Sequence, residues 1–212
     1  MRYTDVVFDL DGTLIDTIRP LMISLHYTAL ELLDIDRTPE DLSVYFGIPG
    51  DDTLLALGAR EDRLKEGMAI WHKYYDKYMD LACLFPGVKE LLAALGDSDI
   101  RVGVISSKTR PEFYDQVPRI GLPMDFFVTG VFAGETEHAK PASDPMFKYL
   151  ELTGADPKKT LFVGDTKYDM MCAGGAGTDT GLATWGCIDP DKVEATYKFK
   201  SPADILTTAL GD

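Results

Sequence analysis

The chain lacks any apolar run approaching the roughly 20 residues that a membrane-spanning helix requires, which removes such a span from the candidate architectures. It is poor in cysteine. Cys83, Cys172 and Cys187 are an odd number, with no CxxC and no Cys/His ligand spacing. That excludes a disulfide framework and a structural zinc site, and the expectation is reduced thiols in a cytoplasmic protein. Positive charge is scarce: 21 Lys and Arg against 35 Asp and Glu leave a net charge of −14. A chain of that sign repels nucleic acid and anionic membrane surfaces. Neither is expected as a partner, and any phosphate-handling site needs locally placed cations. Internal repeats, low-complexity segments and a GxxxxGK[ST] nucleotide loop are all missing. Histidine is sparse too, with His26, His72 and His138 isolated from one another; the first two read as helix-face residues, and His138 stands near Lys140. The first apolar strand begins almost at Met1, so no signal peptide is expected ahead of it.

What the chain does have is an acidic signature at that first strand, Val6-Val7-Phe8-Asp9-Leu10-Asp11-Gly12-Thr13-Leu14. A buried strand runs into two carboxylates spaced i, i+2, which alternation places on roughly one face while the strand holds. Gly12 then allows a sharp turn and a close backbone approach. Two neighbouring acids repel, so they need a cation or a proton between them. A calcium loop of the EF-hand type fails on spacing, because Gly12 is fourth from Asp9 where that loop requires glycine at the sixth position. An ordinary surface turn remains the competing reading for these residues taken alone.

Residues 16–83 read as a helical insert of about four helices. Leu21, Leu25, Leu30 and Leu33 recur at helical spacing, as do Met68, Trp71, Tyr75, Tyr78 and Met79. Phe85-Pro86-Gly87-Val88 marks re-entry into a main domain formed by 1–15 and 84–212. There, apolar strands at 101–108, about 126–129, 160–165 and near 181–184 alternate with helices, including one that opens at Asp144-Pro145 and one from Pro202. This alternation predicts an α/β fold, a three-layer parallel-sheet Rossmann-like core with an inserted helical cap. Gly174-Gly175-Ala176-Gly177 closes a helix and reads as its C-terminal cap, not as a phosphate loop.

In parallel sheets ligands bind beyond the carboxyl ends of the strands. Asp9 with Asp11, Ser106, and Asp165 with Asp169 all stand at such ends, and Lys140 supplies a cation. Hard oxygen donors of this kind suit Mg2+ bridging to a substrate phosphate. The inventory fits phosphoryl transfer, with an ionised Asp as nucleophile and a second Asp as general acid/base. Lys108, Arg110 and Lys167 read as solvated cations able to steer a phosphate.

Four motifs in order, Asp9-Leu10-Asp11-Gly12-Thr13, Ser106, Lys140-Pro141 and Gly164-Asp165-Thr166 with Asp169, resemble those of the haloacid dehalogenase superfamily. The branch they resemble is the phosphoglycolate phosphatase-like enzymes with a helical cap. The resemblance implies a Mg2+-dependent hydrolysis of a small phosphomonoester through an aspartyl-phosphate. It implies that Asp9 is the nucleophile, Asp11 the acid/base, and Ser106 and Lys140 the phosphoryl-binding groups. Asp9, Asp11 through its carbonyl, Asp165 and Asp169 form the implied metal set, with Asp169 supporting the metal's waters or Lys140. Gly12, Thr13 and Ser107, with Gly47 and Pro49 of the cap, are the implied substrate-binding residues. Dehalogenases of the family carry tyrosine where Asp11 stands, so Asp11 favours phosphate chemistry. The alternatives are a phosphomutase, weakened by Leu21 and Gly50 at positions where mutases carry histidine and arginine, and a non-enzymatic phospho-Asp switch. The expected assembly is a monomer or homodimer acting on a small phosphorylated metabolite.

Overall fold

The computed structural model describes residues 2–211. Its first strand, β1 (Asp5–Phe8), is followed by the two-residue β2 (Ile15–Asp16). Four helices come next: α1 (Ile18–Leu33), α2 (Pro39–Leu42), α3 (Gly50–Ala56) and α4 (Leu64–Tyr78). The chain continues through β3 (Cys83–Leu84), α5 (Val88–Gly96), β4 (Arg101–Ile105), α6 (Arg110–Ile120) and β5 (Phe127–Val131). It ends with α7 (Asp144–Thr153), β6 (Thr160–Gly164), α8 (Lys167–Gly175), β7 (Asp179–Ala183), β8 (Tyr197–Phe199) and α9 (Pro202–Leu210). Two compact units result: residues 1–16 with 84–212, and residues 17–83.

The larger unit is an α/β fold with a parallel sheet ordered β5-β4-β1-β6-β7-β8. β1 is central because Val6, Val7 and Phe8 are apolar on both faces, as a strand covered on each side must be. Val7, Ile105 and Phe162 form a core with Met146 and Tyr149 of α7 and with Cys172 and Ala173 of α8. Helices α5 and α9 pack against each other, α5 also touching β4 and α9 touching β8. The sequence placed the last strand at 181–184 and did not separate β8, whose three residues are too short for a periodic signal.

Register decides where the chemistry emerges. Phe8 is aligned with Val104 and with Val163. The residues just past these three strands, Asp9, Ser106 and Asp165, therefore leave the sheet at one edge. One expectation is corrected here: β1 ends at Phe8, so Asp9 and Asp11 belong to a loop, not to a continuing strand. Gly12, at φ +88°, turns that loop, and its amide donates to the Ile15 carbonyl at 2.8 Å.

The smaller unit has its own core. Leu25, Ala29 and Leu32 of α1 are buried, as are Leu54, Trp71, Tyr75 and Met79. Gly67 allows close packing in α4, since a Cβ there would press on Leu32 and Leu54. Leu30 does not join the apolar stripe that its spacing suggested; it is 40% exposed.

At the amino ends of the strands, buried Asp5 accepts from Arg101 at 2.9 Å and from the Tyr149 hydroxyl at 3.2 Å. Gly103 of β4 lies flat against the Tyr149 ring, and a Cβ would overlap it. Gly103→Ala should cost about 1–3 kcal/mol, the usual penalty for overpacking a tight core. Urea unfolding should show this as a lower midpoint, and an unchanged midpoint would mean that the ring moves aside freely.

Candidate active site

Asp9 leaves β1 with its amide donating to the Val163 carbonyl at 2.9 Å, and it is 6% exposed. Asp165 follows β6 and is equally buried. Asp169 lies in the first turn of α8, where a capping box holds it: the Thr166 amide donates to Asp169 Oδ2 at 3.0 Å and the Asp169 amide donates to Thr166 Oγ1 at 3.2 Å. Gly164 makes room for this, because a Cβ there would overlap the Asp169 side chain. Oxygens from Asp9, Asp165 and Asp169 lie within 4.8 Å of one another.

Lys140, from the loop before α7, joins the cluster. Its Nζ is 2.7 Å from Asp9 Oδ1 and 2.7 Å from Asp169 Oδ1. Burial opposes the charge on Lys140, but Asp169 and Asp9 outweigh it and hold the ammonium protonated well above its usual range. Burial pushes the Asp9 carboxyl up to about 7, with Asp169 and Asp11 adding to the rise and Lys140 opposing it. Burial raises Asp165 as well, reinforced by Asp169 and Asp9. One ammonium does not neutralise three carboxylates. The donor set is oxygen only and negative in sum, which fits a hard divalent cation.

The remaining expected residues separate into groups. Ser106 is buried, and its Oγ accepts from the Lys108 amide at 3.1 Å. Ser107 is exposed at the same strand end. Asp11 is half-buried and its carboxylate stands outside the metal-type cluster, 3.1 Å from Lys108 Nζ. Thr13, expected among the substrate-binding residues, supports Asp165. It is fully buried, its hydroxyl donates to Asp165 Oδ1 at 3.0 Å, and its carbonyl accepts from Trp185. Gly12 packs directly on Asp165, whose carboxylate a Cβ would overlap. Gly47 and Pro49 lie in the smaller unit, exposed in the turn that leads into α3. His138 is exposed and its Nδ1 is 3.0 Å from Asp144 Oδ1.

Lys108 is the main residue that sequence reasoning misplaced. It is not solvated; it is 7% exposed and also donates to Gln116 Oε1 at 3.0 Å. Nothing local distinguishes a buried lysine from a surface one, and its partners come from other elements, Asp11 from the loop after β1 and Gln116 from α6. Arg110 is tied to Glu135 at 2.6 Å. The Thr166–Asp169 capping box, by contrast, was available from its T-x-x-D spacing.

The profile of the family described as "Haloacid dehalogenase-like hydrolase" matches residues 6–183, which contain every residue of this cluster. The chain belongs to the haloacid dehalogenase-like hydrolases. Its relatives include the phosphoglycolate phosphatase of Aquifex aeolicus, 29% identical over 95% of this chain and 94% of that protein. Pyrophosphatase PpaX of Bacillus cereus is 30% identical over 87% of this chain and 85% of its own length. Among solved structures, a haloacid dehalogenase-like family hydrolase from Streptococcus pneumoniae superposes with a TM-score of 0.85 at 25% identity, covering 98% of both chains. The chain is thus an enzyme, a phosphatase-type hydrolase of this family.

The raised carboxyls generate a pH prediction. Both have folded values above their unfolded ones, near 4 for aspartate. The stability that protonated Asp9 lends the metal-free fold is therefore full below about pH 4 and is lost as pH rises through about 7, and Asp165, raised by the same burial, acts in the same direction. A divalent cation removes that penalty by replacing the proton. The rise in Tm on adding Mg2+ should be at least about 4 °C larger at pH 8 than at pH 5, given about 2–4 °C per kcal/mol for a domain of this size. Differential scanning calorimetry at both pH values checks this, and an equal or reversed gain would contradict it.

Proposed function

We propose that this hydrolase is a Mg2+-dependent phosphatase of small, anionic phosphorylated metabolites, working in the cytosol through an aspartyl-phosphate. The observation that carries the reading is the Lys140 ammonium at 2.7 Å from both Asp9 and Asp169, with Asp165 alongside. Such a constellation at the carboxyl ends of parallel strands matches the demand of phosphoryl transfer for positioned charge.

In this reading a carboxylate oxygen of Asp9 attacks phosphorus, forming the Asp9–phosphorus bond as the bond to the leaving oxygen breaks. Asp11 protonates that oxygen, then takes a proton from the water that attacks the acyl phosphate. The second attack releases inorganic phosphate and restores Asp9. Lys140, Ser106 and Ser107 bind the phosphoryl oxygens. Asp9, the Asp11 carbonyl and Asp165 would hold the magnesium, which would neutralise phosphoryl charge, while Asp169 fixes Lys140. The unit of residues 17–83 is read as the helical cap, and Gly47 and Pro49 as its substrate-binding residues.

Phosphoglycolate and inorganic pyrophosphate are the first substrates to test. The first is supported by the likeness to the Aquifex aeolicus phosphatase and the second by the likeness to PpaX. Both carry a second anionic group close to the scissile bond. The net charge of −14 supports the absence of nucleic-acid and membrane partners.

Phosphate release across a panel of phosphometabolites should require both Mg2+ and Asp9. Asp9→Asn should lower kcat by about 10⁴-fold or more, as loss of a nucleophile does. Asp11→Asn should cost about 10²–10⁴-fold, the range for general acid–base catalysis. Full turnover by the Asp9 variant would sink the nucleophile assignment. A long-lived phosphoryl adduct on the wild-type protein would favour a switch over an enzyme.

A further inference from the structure

The loop that follows β7 lies against the loop that follows β1. Trp185 is half-buried, and its Nε1 donates to the Thr13 carbonyl at 3.0 Å. The next residue, Gly186, faces the Gly12 carbonyl so closely that a Cβ would overlap it. Trp185 is itself seated edge-on to Phe85, with ring centroids 6.4 Å apart. Phe85 in turn donates its amide to the Leu14 carbonyl at 3.1 Å.

These contacts converge on one carboxylate. Gly12 and Thr13 are the two residues that touch Asp165 from the β1 side. The Gly12 α-carbon packs on the Asp165 carboxylate, leaving no space for a side chain. The Thr13 hydroxyl donates to Asp165 Oδ1. Moving the Gly12–Thr13 backbone by a few tenths of an ångström would therefore shift the group that fixes Asp165. That backbone has no regular strand or helix to hold it, since β1 has already ended at Phe8. Trp185 grips one of its carbonyls and Gly186 abuts the other.

We propose that Trp185 and Gly186 are positioning residues for the divalent cation, acting through the Gly12–Thr13 backbone on Asp165. Neither residue touches the cation or the substrate in this role. The indole N–H satisfies the Thr13 carbonyl, adding a second tether to a peptide whose Leu14 amide donates to the Leu10 carbonyl at 2.9 Å. The glycine permits the approach that presses Gly12 onto Asp165. The inference rests on the metal reading given under the proposed function.

The test is a Mg2+ titration by isothermal calorimetry on the substrate-free protein. Trp185→Phe keeps an aromatic ring against Phe85 and removes only the donor. It should weaken Mg2+ binding by about 10-fold, the lower end of the effect of losing a group that orients a metal ligand. Its metal-free Tm should stay within about 4 °C of wild type, as expected for one hydrogen bond. Gly186→Ala, in the same titration, should weaken binding at least as much. Wild-type Mg2+ affinity in a folded Trp185→Phe overturns the proposal, as does a lower Tm with unchanged affinity. Failure of both variants to fold would make the loop a structural element and overturns it too. An Asp165→Asn control separates the two readings. If the wild type binds no Mg2+, or binds it without needing Asp165, the metal reading itself fails. If it binds through Asp165 and Trp185→Phe binds equally well, only the role of Trp185 and Gly186 fails.

Discussion

Three aspartates cannot share one buried pocket without positive charge, and the bridge from Lys140 to Asp9 and Asp169 is what makes the arrangement tenable. Desolvation of a carboxylate costs several kcal/mol unless it is paired. Lys140 pairs Asp9 and Asp169, the Thr13 hydroxyl donates to the third, Asp165, and the Thr166 amide donates to Asp169 as well. The compensation is incomplete: Asp9 and Asp165 both retain a proton more readily than an ordinary aspartate. A site built this way is poised to gain stability from a divalent cation.

The backbone around the cluster is shaped by absent side chains. Gly12, Gly164 and Gly186 each stand where a Cβ would strike a neighbour, and the neighbours are Asp165, Asp169 and the Gly12 carbonyl. Gly12 also needs a positive φ. These close approaches help the segments that follow β1 and β6 bring charged groups into one small volume, where Lys140 from the segment after β5 joins them. The sheet supplies the common edge, and the glycines let the loops close upon it.

A second ion pair sits beside the cluster. Asp11 meets Lys108, and Lys108 also reaches Gln116 of α6. Asp9 and Asp11 are two residues apart, yet they have different partners and different burial. That divergence is what two carboxylates need if one is to act as nucleophile and the other as acid/base. Alternation along a strand does not produce it. The strand ends at Phe8 and the loop sends the two side chains to different cations.

The sequence by itself determined the fold class, because alternating apolar strands and helices admit few arrangements besides a parallel α/β sheet. It also marked Asp9, Ser106 and Asp165, because chemistry-bearing residues at strand ends stand out against apolar runs, and the order of the motifs drew in Lys140 and Asp169. Only the tertiary structure decided how those residues pair. Lys108 looked solvated and is buried; the Thr13 hydroxyl holds Asp165; Trp185 and Gly186 carried no local signal at all. Each of these assignments depends on a partner distant in sequence, Gln116 excepted. Period and composition report on a residue's own segment. Burial, charge pairing and close backbone approach depend on which segments the sheet brings side by side.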